Sequence, residues 1–241
     1  MGKDDAKPVN CDSYRFHTRR PLNNLVFILP MLAAYHLGAI IYGTNLLAPH
    51  HLKGALEYFG ATASFLPASV VILVLLVQHF ARRDEWKLQS QALAGMLVES
   101  VAWMIPLIAM GLLMGRLQAA TEVRPDVIGH DILEAFGAGI YEEFLFRLMF
   151  ISLSLLIFVD IFSLREDVIT IAAIILGALV FSLYHLSADQ LSHGSQLPWA
   201  KIVSRTLAGI YLGTLFVHRG FGIAVGTHAF YNIYTVVAKL Q

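Results

Sequence analysis

Seven stretches of the chain, at about residues 22–47, 62–80, 91–115, 132–163, 166–186, 201–217 and 220–239, are long apolar runs separated by short polar segments. A helix crossing the hydrocarbon core of a bilayer needs about 20 mostly apolar residues, and all seven runs come close to that length. Backbone groups in lipid have no water to bond, so a helix, which satisfies them within one segment, is the simplest structure for each run. The competing strand pattern, period-2 alternation with hairpin turns, is absent. The expected fold is all-α: a polytopic membrane helix bundle of about seven transmembrane helices.

Composition points the same way. Of the 241 residues 57% are hydrophobic and 14% charged, with a mean hydropathy of +0.64, well outside the range of a soluble domain. The formal net charge is zero, which removes the basic footprint of a nucleic-acid binder. The expected surroundings are a lipid bilayer, with no nucleic-acid partner. The single cysteine, Cys11, can form no internal disulfide and offers no metal framework.

Residues 1–20 form a polar arm, and no cleavage-site pattern follows a short apolar run, so the first span is expected to be retained. Basic residues are unevenly shared between the two sides. Lys3, Lys7, Arg15, Arg19, Arg20, Arg82, Arg83, Lys87, Arg165 and Arg219 fall on the side of the N-terminus; Lys53, Arg116, Arg124, Lys201, Arg205 and Lys239 fall on the other. The positive-inside rule then makes the N-terminus cytoplasmic, for a multi-pass protein expected in the plasma membrane.

The fourth apolar run contains "YEEFLFRLMF", residues 141–150. A charge at mid-span costs about 2.5–3.5 kcal/mol, while each Leu, Ile, Phe or Val returns only about 0.3–0.6. Glu142, Glu143 and Arg147 must therefore face the bundle interior, pair, or lose charge. Glu143 and Arg147 stand at i, i+4 with the acid first, the favourable order for a pair on one helix face. Glu142 points about 100° away and is the carboxylate left free, suited to general acid/base work.

Two later runs bring further polar groups. "FSLYHL" places His185 at the end of the fifth span, one turn after Phe181, and "THAFYN" places His228 and Asn232 at i, i+4 on the seventh. Glu142 lies about ten residues, or about 15 Å, below the start of its span, so these groups are expected to converge on one polar chamber in the outer half of the membrane. Each group also has a plainer reading. Glu142 and Glu143 with Arg147 could be a purely structural ion-pair network, His185 a helix-end residue reaching the interface, and His228 with Asn232 an interhelical hydrogen-bond pair. Glu99, Ser100 and His36 are expected to be packing or interface residues. His50, His51, His130, His193 and His218 read as loop residues. Gly139, Gly177, Gly209 and Gly213 are expected to permit close helix packing.

In order and spacing, "EEFLFR", "FSLYH" and "HAFYN" resemble the EExxxR, FxxxH and HxxxN motifs of the CPBP intramembrane proteases, which include Ras-converting CAAX proteases and bacteriocin-processing or self-immunity proteins. The resemblance covers about residues 130–236, dividing the chain into the arm 1–20, the first three spans 21–129 and a catalytic helix core 130–241. It implies that Glu142 and His185 activate a water for attack on a peptide carbonyl and that His228 and Asn232 stabilise the oxyanion. Glu143 and Arg147 would hold the helix and the first glutamate in place, with Phe181 as a further supporting residue. A metal-free mechanism with no cofactor is favoured. Zinc on Glu142, His185 and His228 is the alternative, although the H-E-x-x-H helix common among zinc peptidases is missing.

The leading expectation is thus an intramembrane endopeptidase acting on a membrane-associated protein or peptide, of which a prenylated CAAX-type chain is one case. From another class, a non-catalytic scaffold or self-immunity protein could bind a peptide in the same chamber. A proton-relaying transporter is a third reading, but neither repeated halves nor broken helices support it. The "SADQLSHGSQLP" loop after His185 is expected to shape substrate entry.

Overall fold

The computed structural model describes residues 14–43, 46–58, 65–114, 128–186 and 198–238. Most of the N-terminal arm, with Cys11, and nearly all of the "SADQLSHGSQLP" loop, with His193, lie outside these residues, as do Arg116, Arg124 and Lys239. All regular structure among the described residues is helical, with no strand among them. The helices are α1 (Tyr14–Thr18), α2 (Pro21–Tyr42), α3 (Leu47–Tyr58), α4 (Leu66–Arg82), α5 (Ser90–Leu113), α6 (Ile128–Ile161), α7 (Glu166–Tyr184), α8 (Trp199–Arg219) and α9 (Phe221–Ala238).

Seven of them match the seven apolar runs. Five, α2, α5, α6, α7 and α8, are long and apolar enough to cross a membrane, and α4 is a shorter apolar helix. Side chains such as Ile40, Val98, Leu113 and Ile171 stay exposed on the bundle surface, as lipid-facing residues do. The chain is a polytopic helical bundle of the integral-membrane kind. The first span is shorter than the sequence suggests. It stops at Tyr42, where Gly43 takes a positive φ of 80° and returns its N–H to Ala39, and the expected polar break "HHLKGALEY" is largely the helix α3. His50 and His51 are therefore helical, as are His130 and His218, rather than loop residues.

α9 is the centre of the bundle. Every residue from Phe221 to Ala229 is buried, and the helix packs against α2, α5, α6 and α8. Its contact with α6 is close because Gly139 lacks a side chain: a Cβ there would stand 2.9 Å from the Ala229 Cβ and 3.0 Å from its backbone nitrogen. Gly209 does the same for α8 against Ala178 of α7. Small residues of this kind let membrane helices approach backbone to backbone. The approach at Gly139 sets Glu143, one turn further along α6, beside α9.

α6 has 34 residues, about 50 Å at 1.5 Å per residue, and exceeds the roughly 30 Å hydrocarbon core. It is also not uniformly wound. Phe144–Met149 and Leu156–Ile161 are π-helical, and such wide turns are rare and frequently accompany functional sites. The first begins directly after Glu143. Helix α6 also starts four residues before the expected span, so Glu142 lies about 20 Å along it rather than about 15 Å.

Candidate active site

Glu142, His185, His228 and Asn232 line one cavity of about 120 Å³, walled by α5, α6, α7, α8 and α9 together with Leu46. Much of the rest of its wall is apolar, from Leu107, Met110, Ala208 and Leu212 among others. Helix order explains the convergence. α6 brings Glu142 from one end of the bundle, α7 ends at His185 beside it, and α9 rises from the other end to present His228 and Asn232 one turn apart.

Glu142 sits between the two histidines. Its Oε1 is 3.5 Å from Nε2 of His185, and its Oε2 is 3.7 Å from Nε2 of His228. Both distances are too long for direct hydrogen bonds. The far nitrogens are held tightly instead: Nδ1 of His185 is 2.8 Å from the Phe181 carbonyl, and Nδ1 of His228 is 2.8 Å from Oε1 of Glu143. A carbonyl or a carboxylate can only accept, so each Nδ1 carries a proton, and both Nε2 atoms are turned toward Glu142. The amide of Asn232 has no hydrogen bond to the described residues, while its backbone carbonyl accepts from Thr235.

The expected pair of Glu143 and Arg147 forms. Nη1 of Arg147 lies 2.9 Å from Oε1 of Glu143, and both side chains are almost fully buried. The contact has ion-pair distance without hydrogen-bond angles, since neither terminal guanidinium nitrogen is hydrogen-bonded and Oε2 of Glu143 has no partner. What steadies the guanidinium is Phe181, whose ring centroid is 4.5 Å from its Cζ, a cation–π contact in a desolvated setting. Phe181 also meets the His185 ring edge-on at 4.7 Å between centroids. One side chain thus props Arg147 and His185 together.

Two features of this region escaped the sequence reading. Arg205, expected among the outer basic residues, is on α8 in the cavity wall and donates from Nη1 to the His185 carbonyl at 3.2 Å. The second is the link from Glu143 to His228, which places the carboxylate expected to pair with Arg147 directly behind a site residue. His130, Asp131 and Glu134 also group on the first turns of α6, with ligand atoms within 4.8 Å of one another, but they contribute no wall to the cavity. Glu99 and His36 are engaged in packing as expected: His36 Nε2 is 3.0 Å from the Tyr141 hydroxyl, and Glu99 joins α5 to α1 and α8.

A family model described as type II CAAX prenyl endopeptidase Rce1-like matches residues 124–234. These residues run from just before α6 to near the end of α9 and contain Glu142, His185, His228 and Asn232. No curated protein and no solved structure shows significant similarity to the chain.

Proposed function

With residues 124–234 belonging to the CPBP family of CAAX-type proteases, we propose that this chain is an intramembrane endopeptidase in which Glu142, paired with His185, activates the attacking water. The observation that carries the reading is the position of Glu142 between two Nε2 atoms in a largely apolar cavity. Neither gap, 3.5 or 3.7 Å, is closed by a direct hydrogen bond, so the carboxylate and the Nε2 lone pair of His185 are open to a water. A water held there by Glu142 and the Nε2 lone pair of His185 gives up its proton to them as its oxygen attacks the scissile carbonyl. The same proton then goes to the leaving amine.

The oxyanion formed in that step needs donors already in place. Asn232 has its amide N–H groups uncommitted, and His228 supplies Nε2–H if the ring is doubly protonated. Glu143 behind Nδ1 is the group that makes this tolerable: Glu142 and Glu143 together balance Arg147 and an imidazolium at His228. The charges of these four side chains then cancel, which favours keeping them in a low-dielectric interior, while Arg205 adds a positive charge to the cavity wall. Arg147 and Phe181 act by positioning, without touching substrate.

The histidines also bear on zinc. Histidine ligands of zinc typically donate from the other ring nitrogen to a carbonyl or carboxylate, and His185 and His228 both do so. Their Nε2 atoms face different oxygens of Glu142, however, and Glu142, His185 and His228 are not among the triples whose ligand atoms close to within 4.8 Å. The reading preferred here is metal-free. The substrate class is a protein or peptide at the membrane, with a prenylated CAAX-type chain as one case, and the core 130–241 does the chemistry while the earlier helices complete the walls.

The test is peptide cleavage by purified protein in lipid nanodiscs, with Glu142→Gln as control. Cleavage should survive exhaustive chelation and be lost in the variant. Activity that disappears on chelation and returns only with zinc overturns the metal-free step. Normal activity in both Glu142→Gln and His228→Ala overturns the protease assignment and leaves the scaffold reading.

A further inference from the structure

A second and larger cavity, about 360 Å³, opens at the opposite end of the bundle, where α2, α7 and α9 begin and α4 and α8 end. Its wall is unlike that of the first. Arg19, Arg82 and Glu166 all line it, and Leu148, Ile151 and Leu155 of α6 form an apolar flank. The two arginines are bonded only to carbonyls: Nη2 of Arg19 donates to Val217, and Nη1 of Arg82 to Arg19 itself at 3.1 Å. Neither has a carboxylate in ion-pair range among the described residues. Burial, followed by the nearby charges of Arg15, Arg82 and Arg219, holds Arg19 below the ordinary arginine pKa. Cations gathered at one cavity without acid partners in range form a site lacking an anion.

Glu166 is equally unpartnered. The neighbouring Arg165 is taken by Asp167 at 2.6 Å, and no cation pairs with Glu166 among the described residues. The cavity therefore offers two guanidinium groups, a separate carboxylate and an apolar flank. Guanidinium forks suit phosphate oxygens, and basic pockets between membrane helices at the headgroup level bind lipid phosphates. A carboxylate nearby would oppose a purely anionic ligand and favour one that carries an ammonium as well.

We propose that this cavity binds the headgroup of an ethanolamine phospholipid, with the phosphate between Arg19 and Arg82, the ammonium at Glu166 and the first acyl carbons along Leu148, Ile151 and Leu155. The site is separate from the peptidase cavity and holds whether or not that reading does.

The full-length protein in detergent is titrated with short-chain phosphatidylethanolamine, phosphatidylglycerol, soluble glycerophosphoethanolamine and inorganic phosphate, following thermal stability and lipid retention in native mass spectrometry. Phosphatidylethanolamine should bind best and raise the melting temperature. Arg82→Gln, which leaves the Arg19 to Val217 bond in place, should weaken it by about tenfold or more, as expected for loss of charge-assisted hydrogen bonds. Glu166→Gln should bring phosphatidylethanolamine down to the level of phosphatidylglycerol. Arg82→Lys serves as the charge-keeping control if Arg82→Gln folds poorly. Unchanged lipid binding in Arg82→Gln overturns the proposal. Equal binding of the soluble phosphate ester and the lipid overturns the lipid assignment in favour of a free phosphate ester, and an unaltered preference in Glu166→Gln removes the ethanolamine part.

Discussion

Both oxygens of Glu99 on α5 are tied down: Nε and Nη2 of Arg219, the indole N–H of Trp103 and the Tyr14 hydroxyl all donate to it, the last two at 2.8 Å. Burial and the bond to Glu99 push the Tyr14 hydroxyl well above its ordinary pKa, so it remains a donor. Glu142 on α6 has no donor nearer than 3.5 Å among the described residues, although it too sits in an apolar helix. The difference separates a carboxylate that joins elements from one kept available. A fully bonded acid has its lone pairs committed and links α1, α5 and α8, whereas an acid held short of contact between two imidazoles can accept a proton. Glu143 belongs between the two, committed to Arg147 and His228 on one oxygen and bare on the other.

This contrast can be broken in four ways, taken from the largest effect to the smallest. Glu142→Gln keeps the shape of the side chain and removes the base, so kcat should fall by about 10³-fold or more with the melting temperature little changed. A turnover assay paired with thermal unfolding checks this, and retained turnover would show that Glu142 is only structural. Arg147→Met leaves Glu143 buried without its guanidinium and with only His228 beside it, and breaking a buried pair in this way costs about 3–5 kcal/mol. Poor folding yield and a lowered melting temperature should result, and a stable, active variant would show that the ion pair is dispensable.

Asn232→Ala removes one donor to the oxyanion and should lower kcat by about 10²-fold with KM nearly unchanged. An effect confined to KM would make Asn232 a substrate-binding group instead. Glu99→Ala should spare turnover. Its hydrogen bonds are worth about 2 kcal/mol together at a partly exposed site, so stability drops modestly while kcat stays at the wild-type level. A large fall in kcat with normal stability would erase the distinction between the two glutamates.

The site was readable to an unusual depth because its residues are costly in lipid. Glu142, Glu143 and Arg147 stand out from apolar neighbours, and the i, i+4 spacings of Glu143 with Arg147 and of His228 with Asn232 follow from helix geometry alone. The loop assignments of His50, His51, His130 and His218 failed for the opposite reason. Short polar segments carry no mark to separate a connecting turn from a helix end or from a surface helix such as α3. The π-helical turn after Glu143 was hidden because hydrogen-bond register depends on how α6 packs against α7 and α9, not on composition. That Arg205 lines the cavity was not legible, because a basic residue near a helix start looks the same whether it faces water or a cavity.

Residue chemistry and periodicity determined that this chain is a bundle of membrane-type helices and which few polar side chains had to turn inward. The energy of a charge in hydrocarbon is large enough to be read one helix at a time. Only the tertiary structure decided that Nδ1 of His228 is held by Glu143, that Phe181 supports both Arg147 and His185, and that Arg19 and Arg82 share a cavity with Glu166. The contacts of His228 with Glu143 and of Arg147 with Phe181 join residues far apart in the chain across helix faces, and the first lies one turn beyond the close approach of α6 and α9 at Gly139. A helix's own pattern specifies which side is polar. It does not specify which neighbour that side will meet, because the packing of the other helices sets that.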